Sequence, residues 1–263
     1  MAIVTTEGIC LKTHALGDTS RIATFYTRDH GLQKLVAKGA RRTPSRFGFA
    51  LEPLSRSRIV FYLKPDRDLQ LLSRAEVLDP LGSRLHSLQR LAFAQAALEL
   101  MDRVVWGEEP HAELFDLLRA TLEADAAAPP GALPALTIAF ELQLASIMGY
   151  RPRLDACANC GASVSARRLF SPARGGLLCD RCAAQEPGAI ALSADALAGI
   201  SLLLSRPVAE AGEYVEVRRA WEILRVVEIF LRHHFQRFQG LRSLEVLRTL
   251  PEEHEPRETK WPA

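Results

Sequence analysis

The hydrophobic pattern of the chain changes at residues 79–82, and this change divides it into a β part and a helical part. Before the change, short apolar runs are separated by turn-forming sequences such as Gly17-Asp18 and Lys64-Pro65-Asp66. We predict five strands there, at residues 9–11, 22–26, 33–36, 57–62 and 69–72. Five short strands within about 80 residues favour a small closed barrel, most commonly an OB-fold, with an SH3-like barrel as the competing architecture.

After the change, apolar residues recur with the period of an α-helix. We predict helices at residues 83–106, from residue 110 to a loop at 126–131, and at 134–149, 193–204, 214–238 and 241–250. Ser193 is the predicted N-cap of the helix that follows it. Residues 251–263 show no periodicity and are predicted to be disordered.

Four of the five cysteines form two close pairs within residues 150–188. Cys157 and Cys160 are separated by two residues, as are Cys179 and Cys182, and 18 residues lie between the pairs. Two such pairs complete a tetrahedral zinc site that leaves no position for a water molecule. We therefore expect one structural zinc ion per chain, with reduced, metal-free cysteines, or a catalytic or redox role, as the alternatives. We expect Cys10 to be a buried apolar residue.

Together these patterns predict a multidomain α+β protein, an N-terminal OB-fold β-barrel followed by an all-α helical domain with an inserted four-cysteine zinc finger. The predicted bounds are residues 1–80 for the barrel, 81–151 and 189–250 for the two parts of the helical domain, 152–188 for the insert and 251–263 for the tail. No run reaches the ~18 uninterrupted apolar residues of a membrane span. Residues 1–10 lack the basic lead and apolar core of a secretory signal, so we expect a cytoplasmic protein without membrane contact.

Positive charge is concentrated in the predicted barrel. Residues 1–80 carry 13 Lys/Arg against 8 Asp/Glu, although the whole chain has a net charge of only +2. The richest stretch is a predicted loop that follows the third strand and includes nearby aromatic residues. Flexible cations beside aromatic rings favour binding of single-stranded nucleic acid through its phosphates. The candidate binding residues are Arg21, Lys34, Lys38, Arg41, Arg42 and Arg46, and the alternative is a solvated loop.

Several short motifs also occur in a characteristic order. They are Gly17-Asp18-Thr19-Ser20-Arg21, Ala37-Lys38-Gly39-Ala40-Arg41-Arg42, Leu51-Glu52-Pro53-Leu54, Gly149-Tyr150-Arg151-Pro152-Arg153-Leu154-Asp155, and Phe170-Ser171-Pro172 followed by Gly175-Gly176-Leu177-Leu178-Cys179. In this order the chain resembles the RecO family of bacterial recombination and repair mediators, over about residues 7–250. Asp18 stands where that family usually has Glu.

The resemblance implies an N-terminal OB barrel and a helical C-terminal domain that carries a zinc finger. It implies binding of single- and double-stranded DNA, annealing of complementary strands without ATP, and action in the RecF pathway of the bacterial nucleoid. The implied protein partners are RecR and the C-terminal tail of single-stranded-DNA-binding protein, with an indirect role in loading RecA. We expect no catalytic residues.

Other functions have weaker support in the sequence. His111-Ala112-Glu113 and the first cysteine pair superficially resemble a zinc deaminase motif. However, Ala156 replaces the proline of that motif, and the second cysteine pair has no role in it. Neither a P-loop nor a G-x-S-x-G motif is present, so we expect no enzyme. The main alternative is a zinc-containing OB-fold nucleic-acid-binding regulator without annealing activity; an adaptor that barely contacts DNA is a further one.

Overall fold

The computed structural model describes residues 2–65, 67–107, 109–164 and 166–249. Its first part is a closed barrel of β1 (Ala2–Leu16), β2 (Ser20–Thr27), β3 (Gly31–Ala37), β4 (Ser55–Leu63) and β5 (Gln70–Pro80). The strands are paired in the order β1-β2-β3-β5-β4, and β4 pairs back to β1. Only the β3–β5 pairing is parallel. This five-stranded closure confirms the predicted OB-fold.

The first strand is longer than the predicted residues 9–11. Its beginning pairs with β4 from Ala2 to Ile9, and its end pairs with β2 from Gly8 to Leu16. Only the middle of β1, around Cys10, is buried on both sides. The exposed ends therefore lack the apolar pattern by which a strand is recognised from sequence.

The barrel buries residues on two sides. Its interior holds Cys10, Phe25, Leu35 and Phe61, together with smaller apolar residues. On the outside, Ile9, Leu11 and Tyr26 join the main core of the helical domain. Polar contacts strengthen this junction: Tyr26 Oη donates to the His111 carbonyl oxygen (3.2 Å), and the Arg28 guanidinium binds both oxygens of Asp116 (2.9 and 3.0 Å). The barrel is thus fixed on the helices by one of its outer faces.

The helical domain is built around one buried helix. Its helices are α1 (Leu88–Val104), α2 (Ala112–Ala127), α3 (Leu133–Ile147), α5 (Ala194–Ser205), α6 (Ala211–Tyr214), α7 (Val217–His234) and α8 (Arg242–Thr249). α3 packs against α1, α2, α5 and α7. Residues Pro130–Ile147 are long and apolar enough to cross a membrane, but 72% of this window is buried inside the protein, the pattern of a core helix.

The insert contains β6 (Leu169–Ser171), β7 (Gly176–Leu178), α4 (Asp180–Ala183) and β8 (Ile190–Ala191). The three strands form a sheet in the order β7-β6-β8. β8 lies beyond residue 188, so this sheet extends past the predicted end of the insert.

Most helix boundaries differ from the predicted ones for local reasons. The predicted helix at 83–106 begins only at Leu88, because residues 81–84 form a short 3-10 helix and the Ser87 side chain caps the Arg90 N–H (3.2 Å). The predicted helix at 214–238 is shorter in the structure: α7 begins at Val217, after the extended residues Val215 and Glu216, and ends at His234. Ser193 is confirmed as an N-cap, accepting from the Ala196 N–H at 3.1 Å. Residues 251–263 lie outside the described residues.

Asp125 near the end of α2 is an ionisable group in an apolar setting. It is 1% exposed, and its Oδ1 has no hydrogen-bond partner among the residues described. The Arg90 guanidinium instead donates to the main-chain carbonyl oxygens of Asp125 and Ala128, at the end of the helix. Burial raises the pKa of Asp125 to about 8, even though the Arg90 charge opposes the shift.

This pKa makes folding stability dependent on pH. The unfolded chain releases the Asp125 proton near pH 4, whereas the folded chain keeps it up to about pH 8. Stability therefore falls as pH rises through this window, by on the order of 3 kcal/mol between pH 5 and pH 8. We expect Asp125→Asn to reduce the fall by about this amount in urea denaturation at the two pH values, while Glu141, whose pKa is also raised by burial, keeps a further part of the fall. Glu113→Gln, at an exposed position on the same helix, is the control; equal slopes for wild type and Asp125→Asn would contradict the assignment.

Candidate nucleic-acid interface and metal centre

A groove of about 580 Å³ lies where the β1–β2 turn, the end of β3 and the following loop meet. We call it the first groove. It is lined by Leu16, Thr19, Ser20, Val36, Lys38, Gly39, Arg42, Pro44 and Arg46. Three of these residues are cationic, and none is acidic. The β1–β2 loop and the β2–β3 region are also where OB-folds contact oligonucleotides.

The cations of the first groove are available to a ligand. Lys38, Arg42 and Arg46 are exposed, and the side chains of Lys38 and Arg42 form no hydrogen bond or ion pair within the described residues. The Arg46 guanidinium lies over the Phe47 ring, 4.6 Å from its centroid. The apolar walls include Leu16, which is 41% exposed. In such a groove the cations contact phosphates and the apolar surface contacts bases. This combination binds single strands without reading their sequence.

The strand alternation of β3 extends this surface. Lys34, Val36 and Lys38 point outwards, whereas Leu35 and Ala37 are buried in the barrel. Lys34 is therefore on the same face as the first groove, one strand repeat before Val36. The structure thus brings four of the six predicted cations to one surface: Lys34, Lys38, Arg42 and Arg46.

The remaining two predicted cations have partners within the chain. Arg21 Nη1 is 2.7 Å from Glu52 Oε1 in an ion pair. Arg41 Nη1 donates to the Gly17 carbonyl oxygen (2.7 Å), and the Arg41 N–H donates to the Thr19 carbonyl oxygen (3.0 Å). Arg41 therefore ties the basic loop to the β1–β2 turn, and Arg21 is held by a carboxylate. The sequence showed their charge but not these contacts.

The walls of the groove were not found from the sequence. Leu16, Val36 and Pro44 looked like ordinary strand or loop residues, because they are brought together only when β2 pairs with both β1 and β3. The one available signal was Leu16, a large apolar residue directly before the Gly17-Asp18 turn.

The four cysteines lie together, as the spacing predicts. The Sγ atoms of Cys157, Cys160, Cys179 and Cys182 all lie within 4.8 Å of one another. The Sγ atoms of Cys160 and Cys179 are 3.7 Å apart. A disulfide requires about 2.05 Å, whereas sulfurs at the corners of a zinc tetrahedron with ~2.3 Å bonds are about 3.8 Å apart. The arrangement fits a metal ion and not a disulfide.

Main-chain pairing brings the two cysteine pairs together. The Leu177 N–H donates to the Arg153 carbonyl oxygen (2.9 Å), and the Ala158 N–H donates to the Leu177 carbonyl oxygen (2.7 Å). Arg153 and Ala158, on either side of Cys157, are therefore both bonded to β7, which leads directly to Cys179. Gly176 is required here, because a Cβ atom at this position would lie 2.4 Å from the Arg153 carbonyl oxygen.

The surroundings of Cys157 and Cys160 favour the thiolate, which is the form that binds metal. Burial alone would raise the pKa of the Cys157 thiol, but main-chain hydrogen bonds from Cys179, Cys160 and Asn159 lower it to about 6. The Asn159 amide Nδ2 donates to Cys182 Sγ at 3.4 Å. The Asn159 hydrogen bond lowers the pKa of Cys182, but burial and the neighbouring thiols raise it to about 11. The Arg181 guanidinium is hydrogen bonded to Cys160, which raises the pKa of the arginine. These N–H donors partly balance the charge of four thiolates around a divalent ion.

The insert is packed on the helical domain. Phe170 of β6 and Leu177 of β7 belong to the main core. The Phe170 and Phe230 rings are 6.2 Å apart, and His234 Nε2 lies 3.0 Å from the Pro172 carbonyl oxygen. The metal centre and α7 are therefore parts of one packed unit.

Comparison with known proteins agrees with both parts of the fold. Residues 1–81 match the family model described as Recombination protein O N terminal, and residues 85–245 match Recombination protein O C terminal. The chain is 37% identical over 232 residues to DNA repair protein RecO of Anaeromyxobacter dehalogenans (strain 2CP-C), covering 88% of this chain and 91% of that protein.

Two further relatives have the same name. DNA repair protein RecO of Streptomyces griseus is 36% identical over 251 residues, covering 93% of this chain and 98% of its own length. The protein of the same name from Pelotomaculum thermopropionicum is 30% identical over 238 residues, covering 90% and 91% respectively. The resemblance seen in the sequence motifs is confirmed along both domains, and the chain belongs to the RecO family of DNA repair proteins.

Proposed function

We propose that the protein binds single- and double-stranded DNA through its barrel and anneals complementary strands without ATP. With RecR, it helps load RecA onto DNA coated with single-stranded-DNA-binding protein. The observation that carries the proposal is the first groove, where Lys38, Arg42 and Arg46 surround an open channel that no carboxylate lines. RecR and the tail of single-stranded-DNA-binding protein are proposed as partners because the chain is a RecO-family protein.

The proposed mechanism needs electrostatics and no covalent step. Two complementary strands repel each other through their phosphates, and a cationic surface that holds one of them lowers this repulsion. Because the cations contact phosphates and not base edges, binding is independent of sequence. Base pairing then provides the free energy of annealing. The protein therefore acts as a binding protein rather than an enzyme. Its binding to DNA would locate it at the bacterial nucleoid.

We propose that the ion held by Cys157, Cys160, Cys179 and Cys182 is zinc. Four sulfur ligands of suitable spacing support zinc over oxygen-preferring metals such as magnesium. All four coordination positions would be filled by the chain, so the ion would be structural. It would fix the turn at Cys157 and Cys160 to the end of β7, and through β6 and β7 it would stabilise the packing of the insert on α7.

Annealing of complementary single strands in the absence of nucleotide tests this function. We expect the protein to accelerate duplex formation at substoichiometric to equimolar amounts, because each bound strand carries less effective charge. Non-complementary strands of equal length are the control and should be bound but not joined. Binding without any acceleration would contradict the proposal and favour a nucleic-acid-binding regulator.

A further inference from the structure

A second groove, of about 730 Å³, lies on the outer face of β4 and β5. We call it the second groove. It is lined by Arg46, Phe47, Arg58, Val60, Ser73, Arg74, Ala75 and Glu76. Val60 pairs with Arg74 and Arg58 pairs with Glu76 across the two strands, so these side chains share one face of the sheet. Apart from Arg46, none of them was a candidate in the sequence.

The second groove carries net positive charge. Three arginines line it against one glutamate. Arg58 Nη1 is 3.5 Å from Glu76 Oε2, but their side chains are 52% and 72% exposed, so this ion pair is weak. Arg74 is exposed, and its side chain has neither a hydrogen bond nor an ion pair to any described residue. An anionic ligand therefore meets at least two guanidinium groups, Arg46 and Arg74, that no carboxylate neutralises.

Apolar surface continues from the groove along the same sheet face. Tyr62 pairs with Leu71 on one side and with Ile3 on the other. Leu71 is 36% exposed and Ile3 is 66% exposed. The helical domain covers a different part of the barrel, around Ile9, Leu11 and Tyr26. The face thus offers an aromatic ring and aliphatic side chains beside the arginines, which are the groups that bases stack on.

The two grooves meet at one side chain. Arg46 lines both of them, and it lies over the ring of the buried Phe47. This stacking limits the movement of the guanidinium while its N–H groups remain free to contact phosphates on either side. Ligands in the two grooves would therefore lie next to each other.

We propose that the second groove binds a second single strand of nucleic acid beside the strand in the first groove, with Arg46 between them. The inference rests on the proposed annealing function and deepens it, because annealing requires two strands close together. The barrel is closed, so its β4–β5 face has no free strand edge to which an acidic peptide could add. A flexible polyanion that uses charge and stacking fits the face better than such a peptide.

The test counts the strands bound per chain. A labelled thymidine oligonucleotide of about 12 nucleotides is titrated into protein at concentrations far above the dissociation constant. We expect the wild type to bind two equivalents of oligonucleotide per chain and Arg74→Glu to bind one. Annealing by Arg74→Glu should fall about 20-fold, as expected when two units of charge are changed near phosphates at about 0.1 M salt. The affinity of the remaining equivalent should change by less than about twofold.

Matched variants separate this inference from its alternatives. Arg237→Glu, at an exposed position of the helical domain, makes the same charge change and should leave both equivalents and annealing intact. Arg74→Gln, which is less disruptive, should show the same loss in weaker form, and thermal unfolding checks that each variant is folded. One equivalent for the wild type, or two equivalents and unchanged annealing for Arg74→Glu, would overturn the inference.

A different variant tests the role of the first groove in the proposed function. If Lys38→Glu with Arg42→Glu leaves all binding unchanged, the proposed function fails, whatever Arg74 does. If that double variant loses the first equivalent while Arg74→Glu keeps both, only the second-strand inference fails. An acidic peptide is the last probe. If Arg74→Glu loses binding of this peptide but still binds two oligonucleotides per chain, the second-strand inference is also overturned.

Discussion

Reversing the charges of Lys38 and Arg42 together is expected to weaken binding to single-stranded DNA by about 100-fold or more at 0.1 M salt. Both side chains line the first groove and have no partner within the described parts of the chain, so the change removes ligand contacts without breaking internal ones. Two lost phosphate contacts should also flatten the slope of log affinity against log salt by about 1.4, from about −3 for a surface of four cations.

Fluorescence anisotropy over a range of salt concentrations measures both quantities. The loss should be similar for strands of different sequence, because the contacts are to phosphates. Arg237→Glu is the charge-matched control, and its affinity should stay within about twofold of the wild type. An unchanged affinity in a folded Lys38→Glu/Arg42→Glu protein would place the binding surface elsewhere. Arg41 is unsuitable for this test, since its guanidinium holds the Gly17 carbonyl oxygen and its replacement would disturb the β1–β2 turn.

Replacing Cys157 with serine is expected to abolish zinc binding, from one ion per chain to less than about 0.1. Cys157 is fully buried and receives several main-chain hydrogen bonds, so no other group can replace its sulfur. Without the ion, the turn at Cys157–Cys160 loses its link to β7, and the packing of Phe170 and Leu177 is weakened. The unfolding midpoint should fall by roughly 5–10 °C.

Metal analysis and thermal unfolding, on protein purified without chelator, measure these effects. Cys10→Ala is the matched control, because Cys10 is a buried thiol inside the barrel and away from the cluster; it should keep one zinc ion. Binding of single-stranded DNA by the first groove should change by less than about twofold, since that groove lies in the barrel. Wild-type protein with well under one equivalent of zinc would refute the metal assignment.

The features that could be predicted from the sequence depend on short-range patterns. The two cysteine pairs have the spacing of zinc ligands, and this spacing alone predicted their cluster. The change from alternating to helical periodicity located the boundary between the barrel and the helices. Ser193 was recognised as a helix cap because capping involves residues only three positions apart.

The features that could not be predicted depend on contacts between distant residues. Arg21 and Arg41 looked equivalent to Lys38 and Arg42 until the fold paired them with Glu52 and the Gly17 carbonyl oxygen. The second groove arises from the register of β4 and β5, which places Arg74 opposite Val60. Charge along the sequence therefore identified the basic region, but only the fold shows which cations face a ligand.

The measurement that tests the central claim most directly is annealing of complementary strands that are first coated with the cognate single-stranded-DNA-binding protein, without ATP. The wild-type protein should accelerate duplex formation, and Lys38→Glu/Arg42→Glu should not, because the first groove must capture the strands. No acceleration by the wild type, with naked single strands still bound, would contradict the annealing function and leave a nucleic-acid-binding protein. Equal acceleration by both proteins would contradict the role of the first groove.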